Sequence, residues 1–181
     1  ILGSGPSRYG NGGMTTRLIT ILSAYTGAWG RPGGRLCGCN PGAGPYVDNR
    51  LVTRPDFRKK PGRRVNINEI ASALTGSRGE KPIRSFYVYG GNPVASVCCQ
   101  KGILEGLLRP DLFTVVHERF MTDTAVYADI LLPAAFSVEQ TDVYTAYGYC
   151  TFGTAGKIIE PAGQSKSNWN TFCLLAQAMG Y

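Results

Sequence analysis

The chain has 181 residues, 43% of them hydrophobic, with 24 glycines and a formal net charge of +7. That length buries one adequate core rather than two, and the apolar share is that of a globular protein. No apolar run reaches the roughly 18 residues of a membrane-spanning helix, and the Ile1 start, without Met or a signal-peptide pattern, leads us to expect a piece of a larger chain.

Ile1 to Gly5 reads as a strand end running into a Gly-rich turn. Met14, Leu18, Ile21, Leu22 and Tyr25 then recur at helical spacing, predicting a helix over Thr15–Tyr25 with Gly27 as its C′ residue. A turn of this kind ahead of a helix is an anion cradle, since its free amides and the helix dipole both favour negative charge. Ser7, Arg8, Tyr9 and Asn11 would line it. Such turns are common, so this one alone does not identify a phosphate site.

Residues 30–66 are punctuated by Gly and Pro and read as an irregular extension packing on parts of a larger protein. Arg50, Arg54, Arg58, Lys59, Lys60, Arg63 and Arg64 concentrate positive charge there. Basic clusters serve nucleic acids, but no aromatic platform is interleaved as single-strand binders require. The stretch is therefore read as a solvated loop or docking surface, and nucleic acid is not an expected partner.

Asn66-Ile67-Asn68-Glu69 has the form of a capping box, and Ile67, Ile70, Ala71 and Leu74 continue it as a short helix ending near Gly76. Ser85–Tyr89 is a strand of aromatic and β-branched residues, broken at its carboxyl edge by Gly90, Gly91, Asn92 and Pro93. A helix is predicted over Val97–Leu108, stopping before Pro110. Phe113–Val116 is a second strand, Glu118–Thr122 a turn, and Ile130–Leu132 a third strand closed by Pro133, with Asp129 read as a turn residue that fixes it. Residues 139–163 form a long polar loop or hairpin. A last helix is predicted over Asn168–Met179.

Strand–helix–strand order specifies an α/β fold, a three-layer sandwich with a mainly parallel, Rossmann-like sheet, expected as a single domain over residues 1–181. Ligands of such sheets sit outside the carboxyl ends of the strands, where Glu118, Arg119 and Thr122 lie. The six cysteines contain no C-x-x-C and have no neighbouring histidine, so zinc and iron–sulfur spacings are absent. They are expected as buried reduced thiols, with Cys98 and Cys99 on a helix and a metal or redox role for Cys37 and Cys39 as the alternative. His117 is the only histidine. With no Ser or Cys nucleophile in a recognisable frame, no catalytic residue is assigned.

Met121-Thr122-Asp123-Thr124-Ala125, followed by Tyr127-Ala128-Asp129-Ile130-Leu131-Leu132-Pro133, resembles the "T-E-T-A…A-D…L-P" signature of the molybdopterin-dependent oxidoreductases of the formate dehydrogenase and dimethyl sulfoxide reductase group. Gly90-Gly91-Asn92-Pro93 resembles that family's "G-x-N-P" loop. Lys166-Ser167-Asn168-Trp169 into Leu174-Leu175-Ala176 resembles its "d-W-x…L-A" helix. The blocks stand in the family's order and span nearly the whole chain.

The resemblance implies one cofactor-binding domain of a larger catalytic subunit, holding a molybdopterin guanine dinucleotide with molybdenum or tungsten. It places a cofactor-contacting loop at Ser7 and Arg8, where the family often has Gln-His, and a nucleotide-contacting acid at Glu118, where the family more often has Asp. Gly90, Gly91, Asn92, Pro93, Thr122 and Asp142 complete the expected contacts, Asp142 as the weakest. A carboxylate accepts the paired N–H groups of a guanine edge, while ribose and pyrophosphate call for hydroxyls, amides and cations. The expected partners are the remaining domains of the same subunit and iron–sulfur electron-transfer subunits, with no cluster and no metal ligand in this stretch. The alternatives are a cofactor-free structural relative within a redox complex and a basic nucleotide- or nucleic-acid-binding α/β module.

Overall fold

The computed structural model describes residues 5–34, 48–57, 62–79, 81–145 and 151–181. The chain divides into two units, Ile1–Val47 with Thr145–Phe152 and Asp48–Tyr144 with Gly153–Tyr181. In the first, a 3-10 turn, Gly5–Arg8, leads into α1, Gly12–Tyr25. Gly27 takes the expected left-handed conformation just beyond the Thr26 cap, with φ of 62°. The strand expected at the start of the chain lies largely outside the described residues.

The second unit carries the sheet. Strands β1 (Ser85–Tyr89), β2 (Phe113–Glu118) and β3 (Ile130–Pro133) pair in that order. Both pairings are parallel, with Val88 beside Val116 and His117 beside Leu132. Side chains alternate between the two faces of a strand. Phe86 and Val88 therefore face one layer while Tyr87 and Tyr89 face the other.

The first layer is built on α3 (Ile70–Thr75), α4 (Pro93–Ser96) and α5 (Gln100–Leu107). Ala71, Leu74, Val94, Ile103, Leu107 and Leu112 form its core, with Phe86 of the sheet packed against it. Leu74 and Ile103 are fully buried. The opposite layer is α6, Asn168–Ala178, whose Phe172 ring meets Tyr87 and Tyr89 at 5.5 and 5.0 Å between centroids. Helices on both faces of a parallel sheet make the expected three-layer α/β sandwich. A further two-stranded sheet, β4 (Asp142–Thr145) with β5 (Phe152–Ala155), forms part of the long segment after β3.

Two expectations need correction. The helix expected over Val97–Leu108 begins only at Gln100, a short helix, α4, having already ended at Ser96: Val97 is extended and Cys99 is left-handed, with φ of 64°. The Gln100 side chain takes over the Val94 carbonyl at the break, at 3.1 Å. Cys98 and Cys99 therefore sit in a linker rather than on a helix, and they are exposed free thiols, as is Cys173. Cys37, Cys39 and Cys150 lie outside the described residues, as do Arg58, Lys59 and Lys60. Elsewhere in the basic stretch, Arg50 pairs with Asp48, and Arg54 with Asp56, on α2 (Arg50–Thr53) and the turn after it. Asp48 and Asp56 thus offset locally the charge of two of the seven basic residues.

Two contacts fix the first layer. A Cβ on Gly106 would come 2.5 Å from Leu74 Cβ, so α5 approaches α3 as closely as it does only because that position is glycine. Arg109 ties the same region to the sheet by donating to the carbonyls of Leu74 and Ile83 and, through Nη2, to both oxygens of Asp111 at 2.6 Å. Its hydrogen bond to Asp111 is the main reason that carboxyl titrates below the usual range.

Gly106→Ala is expected to lower stability by about 1–3 kcal/mol through overpacking, read by thermal or urea denaturation. Stability carried by a depressed carboxylate is present above its unfolded pKa, roughly 3.9, and is lost as pH falls through the folded value. Wild type should therefore lose melting temperature faster than Asp111→Asn as pH drops below about 4, while Asp111→Asn is the less stable protein at neutral pH. Parallel acid limbs would show that the pair is inert.

Candidate functional site at the carboxyl edge of the sheet

β1 ends at Tyr89, and Gly90 reverses the chain with φ of 60°, a conformation glycine takes without a Cβ penalty. Gly91 and Asn92 follow, and Pro93 opens α4 at the position where a missing N–H costs nothing.

Asn92 is committed to the neighbouring loop. Its Oδ1 accepts from the Thr124 hydroxyl at 2.7 Å and from the Thr124 amide at 3.1 Å, and its Nδ2 donates to Asp123 Oδ2 at 3.0 Å. Thr124 is fully buried, and its Oγ1 also accepts from the Val94 amide at 3.1 Å. Four hydrogen bonds thus join the loop after β1 to the loop after β2. Thr122 lies between Glu118 and this clasp, with Oγ1 accepting from the Ala125 amide at 3.3 Å as the 3-10 turn Ala125–Tyr127 begins. Asp129 fixes the next strand as expected, accepting from the Thr114 amide at 2.7 Å.

Glu118 ends β2. Oε1 accepts from the Arg119 amide at 2.7 Å and lies 3.9 Å from the Arg119 guanidinium. Oε2 makes no hydrogen bond among the described residues, although only 12% of the side chain is exposed. A shielded carboxylate with a free oxygen can accept an N–H of a ligand strongly.

Asp142 lies apart from Glu118. It lines a groove of about 370 Å³ with Tyr89, Gln140, Thr141, Ser167, Trp169 and Phe172, on the α6 face of the sheet. By strand alternation Glu118 shares a face with Val116, which packs with Val88 and Ala125 on the other side. The structure thus brings Gly90, Gly91, Asn92, Pro93 and Thr122 together beside Glu118, and puts Asp142 in a second groove at the same edge. Ser7 and Arg8 belong to the other unit, in the turn before α1, with Arg8 exposed.

His117 occupies β2, 1% exposed, and neither ring nitrogen has a hydrogen-bond partner among the described residues. Among the described residues no three His, Cys, Asp or Glu side chains converge, and no helix is long and apolar enough to cross a membrane. Thr124 was not among the residues singled out from the sequence. The signal available was its place in Thr122-Asp123-Thr124, two positions beyond the residue chosen, a spacing that does not say which hydroxyl turns inward.

The sequence model of the family described as molybdopterin oxidoreductase matches residues 1–178. The chain is 44% identical over 181 residues to the probable oxidoreductase YoaE of Bacillus subtilis (strain 168), covering 99% of this chain and 26% of that protein. It is 28% identical over 201 residues to formate dehydrogenase H of Escherichia coli (strain K12), covering 99% and 27%. Among solved structures it resembles acetylene hydratase from Pelobacter acetylenicus, with a TM-score of 0.56 and 26% identity over 64% of this chain and 16% of that one. The chain belongs to the molybdopterin oxidoreductase family, and membership implies a molybdopterin cofactor. It spans about a quarter of the length of the curated relatives it matches, 26% and 27% for these two.

Thr124→Val keeps the shape and removes both hydroxyl bonds, stranding the buried Val94 amide. The expected cost is about 1–3 kcal/mol, with Thr124→Ser recovering most of it. Equal melting temperatures for the Val and Ser variants would show that the clasp contributes little.

Proposed function

We propose that this chain holds one guanine dinucleotide of a bis-molybdopterin guanine dinucleotide cofactor, with molybdenum or tungsten, at the carboxyl edge of its parallel sheet. The observation that carries the reading is the free Oε2 of Glu118, shielded at the end of β2 beside a loop pinned by Asn92 and Thr124. A guanine edge presents adjacent N–H donors, the chemistry an ionised carboxylate accepts. The glycine turn at 90–91 leaves room for close backbone approach, and Thr122 offers a hydroxyl.

When bound, the cofactor supplies the metal-centred redox chemistry. The residues of this chain bind and orient its nucleotide tail, and Ser7 and Arg8 are proposed as further contacts from the turn before α1. Asp142 is proposed as a contact from the α6-side groove, where Tyr89, Trp169 and Phe172 supply aromatic surface. The intact polypeptide is accordingly an oxidoreductase of which this chain is one α/β piece. Its partners are the remaining domains of that polypeptide and iron–sulfur electron-transfer subunits. The piece alone is expected to turn over no substrate.

The test is made in the intact polypeptide. Losing a charged hydrogen-bond partner costs about 1.5–3 kcal/mol, roughly ten- to a hundredfold in affinity. Glu118→Gln and Thr122→Val should each lower the pterin and metal content of the purified protein. Melting temperature separates a lost ligand contact from the lost Thr122 bond to Ala125. Full cofactor in both variants would sink the edge assignment. Wild type purified without pterin from a host that makes it would favour the cofactor-free relative.

A further inference from the structure

Arg119, one residue beyond Glu118, carries the only guanidinium on the loop between Glu118 and the clasp. It lies over the Phe136 ring, 5.4 Å from the centroid. Phe136 is held in turn by Phe120, edge to face, with centroids 5.5 Å apart. The guanidinium makes no hydrogen bond among the described residues, and its one carboxylate neighbour, Glu118 Oε1, is 3.9 Å from Nε, beyond hydrogen-bond length. The side chain is 47% exposed.

Of the other carboxylates near this loop, Asp123 is engaged through one oxygen and Glu139 through both. Asp123 Oδ2 accepts from Asn92, and Glu139 is buried with its two oxygens taken by the amides of Phe136 and Ala162. A planar, always-charged fork is thus steadied by an aromatic face with its N–H groups available. That is the geometry that takes phosphate oxygens two at a time.

We propose that Arg119 is the diphosphate contact of the nucleotide whose base Glu118 accepts. The inference rests on the guanine-nucleotide reading above and adds a charge-specific contact to it. The two adjacent side chains divide the ligand by chemistry. A carboxylate repels phosphate and accepts from the base, while a guanidinium attracts phosphate and has no acceptor to offer the base.

The experiment uses the intact polypeptide produced cofactor-free in a host unable to make molybdopterin. Guanosine and guanosine diphosphate are titrated calorimetrically into wild type and variants. Wild type should bind the diphosphate roughly ten- to a hundredfold more tightly than guanosine. Arg119→Gln should bring that ratio close to one and leave guanosine affinity unchanged. Arg119→Lys, which keeps the charge and loses the fork, should retain part of it and carries the comparison if the Gln variant folds poorly. Glu118→Gln should weaken both ligands and preserve the ratio.

A ratio unchanged in both Arg119 variants, or an equal loss of both ligands in Arg119→Gln, overturns the Arg119 assignment. If Glu118→Gln still weakens both ligands in that case, the base reading stands. Wild type that binds neither ligand overturns the two together.

Discussion

The carboxyl edge depends on one buried hydroxyl. Thr124 donates to Asn92, accepts from the Val94 amide and is fully enclosed. In so dry a position an unmade bond costs close to the full desolvation of its partner, so the two loops stay joined or lose several partners together. The loop from Glu118 to Thr124 is consequently anchored at both ends, by the β2 ladder and by the clasp. What lies between, Arg119 and Phe120 among it, is exposed and yet constrained.

That edge rests on a scaffold with little slack. The parallel register sends Phe86 into the α3–α5 core and Tyr87 toward α6, so both faces of the sheet are covered. Gly106 lets α5 close on α3, and Arg109 meets carbonyls from α3 and from the segment before β1. Each uses a residue that a purely apolar pattern leaves unexplained. A glycine inside a helix and an arginine 17% exposed in its side chain are both answers to close packing.

What was legible in the sequence follows the range of the interaction involved. Strand positions and parallel order could be read because apolar runs bounded by Gly and Pro are local signals, and β1, β2 and β3 contain the expected segments. The break at Cys98 and Cys99 was not legible, since helical periodicity continues through it. It is set by Gln100 reaching back to Val94 and by the backbone conformation of Cys99. The capping signal at Asn66 was half legible. Asn66 caps by accepting from the Asn68 amide, but Glu69 pairs with Arg78, nine residues on. The inward turn of Thr124 depends on Asn92, distant in sequence, and no spacing rule within one loop reveals it.

The polar groups of the edge fall into two classes by what they have left to offer. Asn92, Thr122, Thr124 and Asp123, all within the blocks that resemble the family signature, use side-chain atoms on one another or on backbone amides. Their geometry sets the shape of the edge, and shape alone distinguishes ligands poorly. Groups with unspent bonding capacity discriminate better, because a wrong ligand leaves them unpaired. Glu118, with one oxygen, and Arg119, with its guanidinium, both without hydrogen-bond partners among the described residues, are such groups, opposite in charge and adjacent in sequence. A ligand that satisfies both must present donors and anionic oxygens within reach of one strand end, as a nucleoside diphosphate does.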